Sequence, residues 1–459
     1  MYADDTIAAI TTPPGQGGVG IVRISGPLCA DIAARLFVGR AAVAHWVSHA
    51  LHLGHVRDAG NRTVDRALAV IMRAPQSYTG EDVLEFHCHG SPVVMRRVLT
   101  AVLRRGARLA EPGEFTKRAV LNGRLDLVQA EAVIDIVRAR TDEAADLALA
   151  QLSGVLSNHL EDARTELVRL KALLEAQIDF ADEDIAIDQE EIQLILKSLS
   201  HKIHRLIASY HQGKLRRDGA VVPIVGKPNV GKSSLLNALL GEDRAIVTPV
   251  PGTTRDTIEE SITIDGVPVL LTDTAGLRAC ADNDPVERLG MERTAAKIAG
   301  AHLVLFVVDV SQPLHAEDRF VAGSIHGKPT IVVANKSDLA EALPATDLAA
   351  LAGGHPVLHV SAIAGSGLGA LRETMAQMLG AAERTDPDSP VVSSARHHAA
   401  LLVAADHLGM AHAAICDRLP PELVAVDVQE AIDQIGGITG VVTNEDVLDR
   451  IFAEFCVGK

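Results

Sequence analysis

The sequence lacks the features that mark secreted, membrane or zinc-held proteins. Its five cysteines, Cys29, Cys88, Cys280, Cys416 and Cys456, show no paired CxxC spacing, which argues against a zinc site or a disulfide framework and fits a reducing compartment. No run reaches the roughly 18 apolar residues that a bilayer-spanning helix needs. The opening residues, MYADDTIAAITTPPG, have neither a basic start nor a long apolar stretch, so they do not resemble a signal peptide. We therefore expect a soluble, cytoplasmic protein with no membrane partner.

Positive charge is also scarce. Lysine and arginine number 43 against 59 aspartates and glutamates, which gives a formal net charge of -16. An acidic chain is repelled by phosphate backbones unless its basic residues are gathered in one place. Any contact with a nucleic acid must therefore be local or be shared with a more basic partner, and the sequence alone does not show the patch.

The pattern along the 459 residues predicts several domains, because the chain is too long for one ordinary core. Residues 1–123 mix short β-like runs at Gly20 to Ser25, Leu68 to Met72 and Val83 to Cys88 with one helix from Ser91 to Gly106, closed by glycine. This mixture is typical of an α+β domain. Residues 124–218 have apolar residues at helical spacing with almost no glycine or proline, which predicts long helices.

A new domain is predicted over residues 219–381. VVPIVGKPNVGKSSLLNALL indicates a buried strand, a glycine-bearing loop and a helix in succession, and HLVLFVVDV and TIVVANKSD indicate further buried strands of a parallel sheet. After a polar linker, helical patterning returns over residues 382–459. We predict a multidomain α/β protein in which a doubly wound, mostly parallel P-loop domain is inserted into a helical domain, since the two ends of such a domain tend to lie close together.

The loop Gly226 to Ser233, GKPNVGKS, satisfies GxxxxGK[ST] between a strand and a helix. Backbone amides of such a loop hold the β- and γ-phosphates, Lys232 reaches their oxygens, and Ser233 binds Mg²⁺. Many NTPases share this loop, so it does not choose the base.

The base is chosen by Asn335-Lys336-Ser337-Asp338, because an aspartate carboxylate after a buried strand can accept both the ring N–H and the exocyclic amino group of guanine. Asp273 to Gly276, DTAG, supplies an acidic residue near Mg²⁺ and a glycine amide for the γ-phosphate. Thr254 in PGTTRD is the second hydroxyl ligand of Mg²⁺. The order of these motifs, followed by Ser361-Ala362, indicates GTP.

Hydrolysis cannot use the glutamine that often follows DxxG, since Leu277 stands there and an apolar side chain cannot orient water. The polar stretch Asp282 to Glu287 offers candidates for that role. Arg255 is a candidate arginine finger, although the simpler interpretation is a solvated arginine that pairs with Asp256.

GKPNVGKSSLLNAL, VTPVPGTTRD, DTAGLR, PVERLG and NKSD together resemble the MnmE (TrmE) family of tRNA-modification GTPases, and the resemblance extends over nearly the whole chain. TPPGQGGVGIVRISG, SYTGEDVLEFHCHG and PGEFTKRAVLNGRLDLVQAEA resemble the opening domain of that family, and FCVGK resembles its terminal signature.

The resemblance implies a potassium ion beside the phosphates, held by Asn229, Thr248, Val250 and Thr253, with Glu287 orienting the attacking water. A fixed cation offsets developing charge as an arginine would. The family implies activation by potassium-dependent pairing of two G domains in a homodimer.

The resemblance assigns a broad set of residues to GTP. They are Asn229, Val230, Gly231, Lys232, Ser233, Ser234, Thr248, Val250, Pro251, Gly252, Thr253, Thr254, Asp273, Thr274, Ala275, Gly276, Asn335, Lys336, Asp338, Ser361 and Ala362.

The opening domain is similar to folate-binding one-carbon enzymes, which implies a 5-formyl- or 5,10-methylene-tetrahydrofolate and a role in dimerisation. By residue match, Arg23, Glu85, Arg124 and Lys459 would line that site, with Glu85 accepting from the pterin ring and the cations facing the glutamate tail. The resemblance implies a lysine at the position of Arg124, so the match is imperfect: arginine keeps the charge, but its geometry differs from that of lysine. Without the resemblance, Arg23 would be read as an exposed strand residue.

Two further groups have competing interpretations. His87-Cys88-His89 looks like a metal cluster, but alternate strand residues point to opposite faces, so structural packing is favoured. Cys456 is either a nucleophile near the folate or a small packed residue, and we favour a functional role because it shares a segment with Lys459.

The resemblance implies addition of a carboxymethylaminomethyl or aminomethyl group to carbon 5 of the wobble uridine (U34) of certain tRNAs, jointly with the flavoprotein MnmG in a heterotetramer-like complex. One alternative is a ribosome-assembly or translation GTPase, which should carry a basic RNA-binding module instead of the folate-like domain. Another is a folate- and GTP-responsive switch that takes no part in chemistry.

Overall fold

The computed structural model describes residues 5–179, 189–242, 259–273, 295, 297–381, 389–442 and 445–459. The chain divides into two compact units. The first consists of Met1–Ile134, Gln151–Leu199 and Val403–Lys459, and the second of Asp135–Ala150 and Ser200–Leu402.

The first unit contains a seven-stranded sheet. Its strands are β1 (Ile7–Ile10), β2 (Gly17–Ser25), β3 (Phe37–Gly39), β4 (His52–Arg57), β5 (Thr63–Met72), β6 (Val83–Gly90) and β7 (Arg108–Leu109). The order is β3-β4-β5-β6-β2-β1-β7, and all neighbours are antiparallel except β1 and β7. The strands predicted at Gly20, Leu68 and Val83 are therefore confirmed.

Strand alternation gives this sheet two different faces. Val22 and Ile24 point into a core with the buried faces of two helices, α1 (Cys29–Leu36) and α2 (Pro92–Leu103). The predicted helix at residues 91–106 is thus confirmed, with slightly narrower bounds. On the opposite face, Phe115 of α3 (Glu114–Leu121) packs with Ile7 and Ala9 of β1.

The chain segments that precede and follow the sheet of the second unit, which is described below, are helical. They contain α4 (Leu127–Arg138), α5 (Asp142–Leu152), α6 (Val155–Asp179), α7 (Gln189–Asp218), α12 (Ala395–Cys416), α13 (Pro421–Thr439) and α14 (Glu445–Ala453). Within the first unit, α6 packs along α13. Buried residues recur along α6 at intervals of three and four, from Leu156 and Leu160 to Leu170 and Leu174, which is the spacing that keeps one face of a helix in a core.

Helix α12 is the one described helix that is long and apolar enough to cross a bilayer, with a mean hydropathy of 1.5 in its most apolar window. It does not form an uninterrupted apolar run, since Asp406 and several histidines lie within it. Leu401, Leu408 and Ala411 of this helix are buried in the protein. Packing therefore accounts for part of its apolar surface, whereas Leu402, Val403 and Met410 are exposed.

The second unit contains a six-stranded sheet. Its strands are β8 (Ala220–Val225), β9 (Glu259–Ile264), β10 (Val267–Asp273), β11 (Val304–Asp309), β12 (Thr330–Asn335) and β13 (Val357–Val360), in the order β13-β12-β11-β8-β10-β9. All neighbours are parallel except the β9–β10 hairpin.

Helices cover both faces of this second sheet. Leu305 and Val307 of β11 face a core shared with α8 (Lys232–Glu242) and α11 (Leu368–Leu379). The alternate residues of the same strand, Phe306 among them, face α9 (Ala316–Ser324) and α10 (Ala345–Ala352). This arrangement is the predicted doubly wound, mostly parallel sheet, and the multidomain α/β prediction is confirmed.

Candidate functional site

The P-loop joins β8 to α8, and three of its residues, Gly226, Asn229 and Gly231, have positive φ. Asn229 has φ 66° and Gly231 has φ 100°; asparagine tolerates the left-handed region and glycine adopts it freely. A Cβ on Gly231 would collide with the amide of Asn335. The loop therefore approaches the end of β12 too closely for any other residue at this position.

Lys232 lies over the loop that precedes it. Its side chain is buried, and Nζ donates to the carbonyl oxygens of Gly226 (3.0 Å) and Lys227 (2.9 Å). The backbone amides at the start of α8, where Ser233 lies, add the positive end of a helix dipole. A buried cation and a helix N-terminus around one tight loop form a site that fits phosphate.

The guanine-selecting motif meets the P-loop directly. Asn335, at the end of β12, donates from Nδ2 to the carbonyl of Val230 (2.8 Å), and its Oδ1 accepts from the backbone N–H of Ala362 (3.2 Å). Lys336 donates from Nζ to the carbonyl of Asn229 (3.0 Å). The structure therefore brings together the P-loop, Asn335-Lys336 and Ser361-Ala362, which are separate in the sequence.

Asp338 is oriented by a neighbouring hydroxyl. Ser361 Oγ donates to Asp338 Oδ1 (2.5 Å) and accepts from the backbone N–H of Ala364 (3.1 Å). One carboxylate oxygen is thus fixed, and the carboxylate has lone pairs left for the two donors of a guanine edge.

Two acidic residues support this site, although the sequence analysis did not single them out. Asp309, at the end of β11, accepts from Lys336 Nζ (2.6 Å). Burial alone would raise the pKa of Asp309, but hydrogen bonds from Lys336 and Ser311 outweigh it and hold the pKa below its ordinary value. Asp318 of α9 forms a buried ion pair with Lys227 (2.9 Å) and so ties the P-loop to that helix.

The other nucleotide predictions are placed only in part. Asp273 ends β10 and is paired in register with Ile224 of β8, two residues before the P-loop begins. The remaining predicted residues, Thr248, Val250, Pro251, Gly252, Thr253, Thr254, Thr274, Ala275, Gly276 and Glu287, lie outside the described residues, as do Arg255 and Leu277.

A second cluster lies on the α3 side of the N-terminal sheet. Arg23 Nε donates to Glu85 Oε1 (2.8 Å), and His87 Nε2 pairs with Glu85 Oε2 (2.8 Å). Burial raises the pKa of Glu85, but the hydrogen bond from His87 and the charge of Arg23 more than compensate, so its pKa lies below the ordinary value. Glu85 is therefore a charged carboxylate in a mostly buried position.

Aromatic rings complete the surroundings of Arg23. Its guanidinium lies 5.5 Å from the centre of the Tyr78 ring and 5.8 Å from that of Phe115, within the range of cation–π attraction. The Tyr78 hydroxyl is hydrogen bonded to Thr116 Oγ1 (2.8 Å), and burial raises the pKa of that hydroxyl. Sequence reasoning did not name Tyr78 or Phe115, and it named His87 only as part of the His87-Cys88-His89 group, not as a partner of Glu85.

Arg124 and the last residues of the chain contact segments of the N-terminal domain. The side chain of Arg124 lies beside Gly80, two residues beyond Tyr78. Pro112 forms an isolated β-bridge with Val457, and Gly458 lies against the carbonyl of Ile10 at the end of β1. Cys456, which is exposed, and Lys459 are thereby held near the residues that flank β1 and α3.

The His87-Cys88-His89 sequence separates as strand alternation requires. His87 pairs with Glu85, His89 pairs with Asp65 (2.8 Å), and Cys88 points into the core, where burial raises the pKa of its thiol to about 12. The three side chains therefore do not converge on one point.

A P-loop at the carboxyl edge of a mostly parallel sheet, in contact with an NKSD loop and a Ser-Ala loop, defines a P-loop GTPase. Two family profiles match the chain: "GTP-binding protein TrmE N-terminus" over residues 6–124 and "MnmE helical domain" over residues 127–456. Curated relatives cover the whole length, and the chain belongs to the MnmE family.

Two of these relatives are named tRNA modification GTPase MnmE. The protein of Heliobacterium modesticaldum is 46% identical over 465 residues, which cover 99% of each chain. The protein of Geobacter sulfurreducens is 47% identical over 462 residues, which cover 100% of each. The resemblance drawn from the sequence motifs is confirmed, and the protein is a GTP-hydrolysing enzyme of this family.

Proposed function

We propose that this GTPase modifies tRNA by adding a carboxymethylaminomethyl or aminomethyl group to carbon 5 of the wobble uridine (U34), jointly with the flavoprotein MnmG, in the cytoplasm. GTP hydrolysis drives or times that step. The observation that carries the nucleotide half of the proposal is the contact of Asn335 and Lys336 with the P-loop. The tRNA half is supported by full-length relatives named for tRNA modification.

The described residues fit a guanine nucleotide with magnesium. Asp338 is placed to accept from the guanine ring N–H and amino group, because Ser361 fixes only one of its oxygens. Lys232 already has its ammonium over the loop, where it would neutralise phosphate charge. We assign Mg²⁺ to the hydroxyls of Ser233 and Thr254.

We further propose a potassium ion beside the phosphates, held by Asn229, Thr248, Val250 and Thr253, with Glu287 orienting the attacking water. Support within the described residues comes from Asn229, whose left-handed backbone holds it at the tip of the P-loop. Potassium supplies fixed positive charge as transition-state charge develops. Two G domains of a homodimer would pair in this state.

The N-terminal cluster fits a tetrahydrofolate, either 5-formyl or 5,10-methylene. Glu85 is a charged acceptor for pterin donors, and Arg23, Arg124 and Lys459 are cations for the glutamate tail. Tyr78 and Phe115 add aromatic surface beside Arg23, which suits a flat ring. Cys456, exposed and held near Pro112, is the candidate thiol for chemistry at the folate.

GTP turnover in potassium and in sodium at equal ionic strength tests the hydrolysis mechanism, with a Glu287→Ala variant alongside. We expect strong stimulation by potassium in the wild type and loss of that turnover in the variant, because the water would no longer be oriented. Equal rates in the two salts would contradict the potassium mechanism while leaving GTP binding intact.

A modification assay with Cys456→Ser separates the proposed enzyme from a folate- and GTP-responsive switch. The enzyme should lose tRNA modification while keeping its affinity for GTP and folate. Cys416→Ser, at the other exposed cysteine that the described residues contain, is the matched control and should keep full activity. Unchanged modification in Cys456→Ser would remove the thiol from the chemistry.

A further inference from the structure

Helix α2 and the residues after it form a strongly basic segment in an acidic chain. Residues 91–110 contain five arginines, Arg96, Arg97, Arg104, Arg105 and Arg108, and no aspartate or glutamate, whereas the whole chain has a net charge of -16. None of these five arginines belongs to the GTP site or to the cluster around Glu85. Neither site therefore explains the segment.

Three of these arginines lie on the side of α2 that faces away from the sheet. Met95, Val98 and Val102 are buried in the core of the N-terminal domain. Arg96, Arg97 and Arg104 are exposed. At 3.6 residues per turn and 1.5 Å per residue, these three lie within an arc of about 100° and along about 12 Å of the helix axis.

The fold does not use these charges. Arg108 is held by Asp5 and Glu114, and Arg35 of the adjacent helix α1 by Asp31. By contrast, Arg96, Arg97 and Arg104 form no ion pair with any residue in the described ranges, and Arg105 has a buried Nε with no hydrogen-bond partner there. We call the three exposed residues, Arg96, Arg97 and Arg104, the α2 arginine face.

We propose that the α2 arginine face binds the phosphate backbone of RNA. Guanidinium groups pair with phosphate in a bidentate manner, and the closely spaced phosphates of a nucleic acid match several arginines along one helix. Residues 91–110 contain no aromatic residue for stacking on bases, so the surface would position the RNA rather than read its sequence. That the RNA is a tRNA rests on the proposed function.

An acidic protein is a less suitable occupant of this face. Protein interfaces combine charge with an apolar centre, but among the exposed large apolar residues only Val93 lies on α2, at its first turn. A chain that is acidic overall can approach a phosphate backbone only where its basic residues are gathered. Helix α2 provides such a place.

The test measures binding of a fluorescently labelled tRNA transcript by anisotropy over a range of KCl concentrations. The full-length triple variant Arg96→Gln/Arg97→Gln/Arg104→Gln is compared with a control triple variant, Arg40→Gln/Arg62→Gln/Arg66→Gln. Both variants lose three exposed arginines of the same domain and the same net charge. Glutamine is chosen because it preserves helix propensity.

We expect the α2 variant to bind tRNA at least about tenfold more weakly, and the slope of log K against log salt to fall in magnitude by about 2, at about 0.7 per lost phosphate contact. The control should keep the wild-type slope. GTP turnover should be unchanged in both variants. Because the GTP site belongs to the other compact unit, unchanged circular dichroism and an unchanged thermal unfolding profile are the measurements that verify a folded N-terminal domain.

Three results would overturn the assignment. In the first, the α2 variant keeps the wild-type dependence of tRNA affinity on salt. In the second, the α2 variant and the control variant bind tRNA equally weakly. In the third, the α2 variant keeps its tRNA affinity but no longer co-sediments with a protein partner that the wild type binds. A wild-type protein that binds no tRNA at all would instead contradict the proposed function. The two failures are therefore distinguishable.

Discussion

At the scale of single residues, Glu85 links the side chains of the N-terminal cluster, since it accepts hydrogen bonds from both Arg23 and His87. We expect Glu85→Gln to weaken binding of 5-formyl-tetrahydrofolate about tenfold or more, because a hydrogen bond to a charged group contributes about 1.5–3 kcal/mol. Isothermal titration calorimetry measures the affinity. His89→Gln on the same strand, whose imidazole is mostly exposed, is the control, and equal affinities in Glu85→Gln and the wild type would exclude the carboxylate from the site.

A second residue-scale prediction concerns acid stability. Asp5 and Glu114 have lowered pKa values: burial raises each, but hydrogen bonds from Arg108 and Arg118 outweigh it. Carboxyls of this kind stabilise the fold at pH values above their ordinary pKa, 4.5 for Glu114, and lose that contribution as the pH falls through the lowered value.

Replacing Glu114 should therefore lower the free energy of unfolding more at neutral pH than in acid. Arg118 is buried and would lose one of its carboxylate partners, so Glu114→Gln should lower the free energy of unfolding by about 2–4 kcal/mol at pH 7. Urea denaturation at pH 7 and at pH 3 measures the difference, which should shrink in acid. Exposed Glu111→Gln is the control, and a difference that is independent of pH would contradict the linkage.

Sequence reasoning found only part of each cluster. Arg23, Glu85, Arg124 and Lys459 were named through the family resemblance, and their roles stay predictions. The pairing of His87 with Glu85 was not predicted, although the two residues are two apart and therefore lie on the same face of β6. Period-two alternation was thus a signal available in the sequence, whereas the approach of Tyr78 and Phe115 to Arg23 depends on how the 74–82 loop and α3 fold back.

At the scale of elements, the P-loop depends on glycine where it passes Asn335. We expect Gly231→Ala to weaken nucleotide affinity by about 100-fold or more, since the residue has positive φ and the new methyl group would displace the Asn335 amide. Fluorescent GDP titration measures this affinity.

The matched control for that change is Gly241→Ala in α8. Nothing lies within 4 Å of the position that its Cβ would take, and alanine is favoured over glycine in helices by about 0.5–1 kcal/mol. This variant should bind nucleotide normally and unfold at the same or a higher temperature. Normal affinity in Gly231→Ala would show that the loop can shift away from β12.

The strand, loop and helix of the P-loop could be predicted because all of their determinants are local in sequence. Asp309 and Asp318 could not, because they reach Lys336 and Lys227 through tertiary contacts from β11 and α9. The buried, mostly parallel strands of the second sheet could be predicted from the hydrophobic pattern, whereas the order of its strands was not predicted. The domain boundaries at residues 123, 218 and 381 stay predictions.

At the scale of the whole molecule, the two compact units hold different candidate ligands. Arg23 and Glu85 belong to the first unit, and the P-loop belongs to the second. A ligand at 100 times its Kd stabilises the state that binds it by about 2.7 kcal/mol, or about 5–10 °C for a unit of this size. We expect two calorimetric transitions. Mg²⁺ with GDP should raise the midpoint temperature of one, and 5-formyl-tetrahydrofolate should raise that of the other. A single transition that both ligands shift equally would show that the units unfold together.

The contacts made by residues 445–459 also affect how the protein is synthesised. Asp449 pairs with Lys117 across 332 residues of chain, and Phe452 and Phe455 pack around Gly113. A ribosome adding about 5–20 residues per second would take about 15–70 s to produce the later partner after the earlier one. During that interval the apolar surface that Phe452 and Phe455 later cover is exposed on the nascent N-terminal domain, and transiently exposed apolar surface of this kind is what makes a folding chain prone to aggregate.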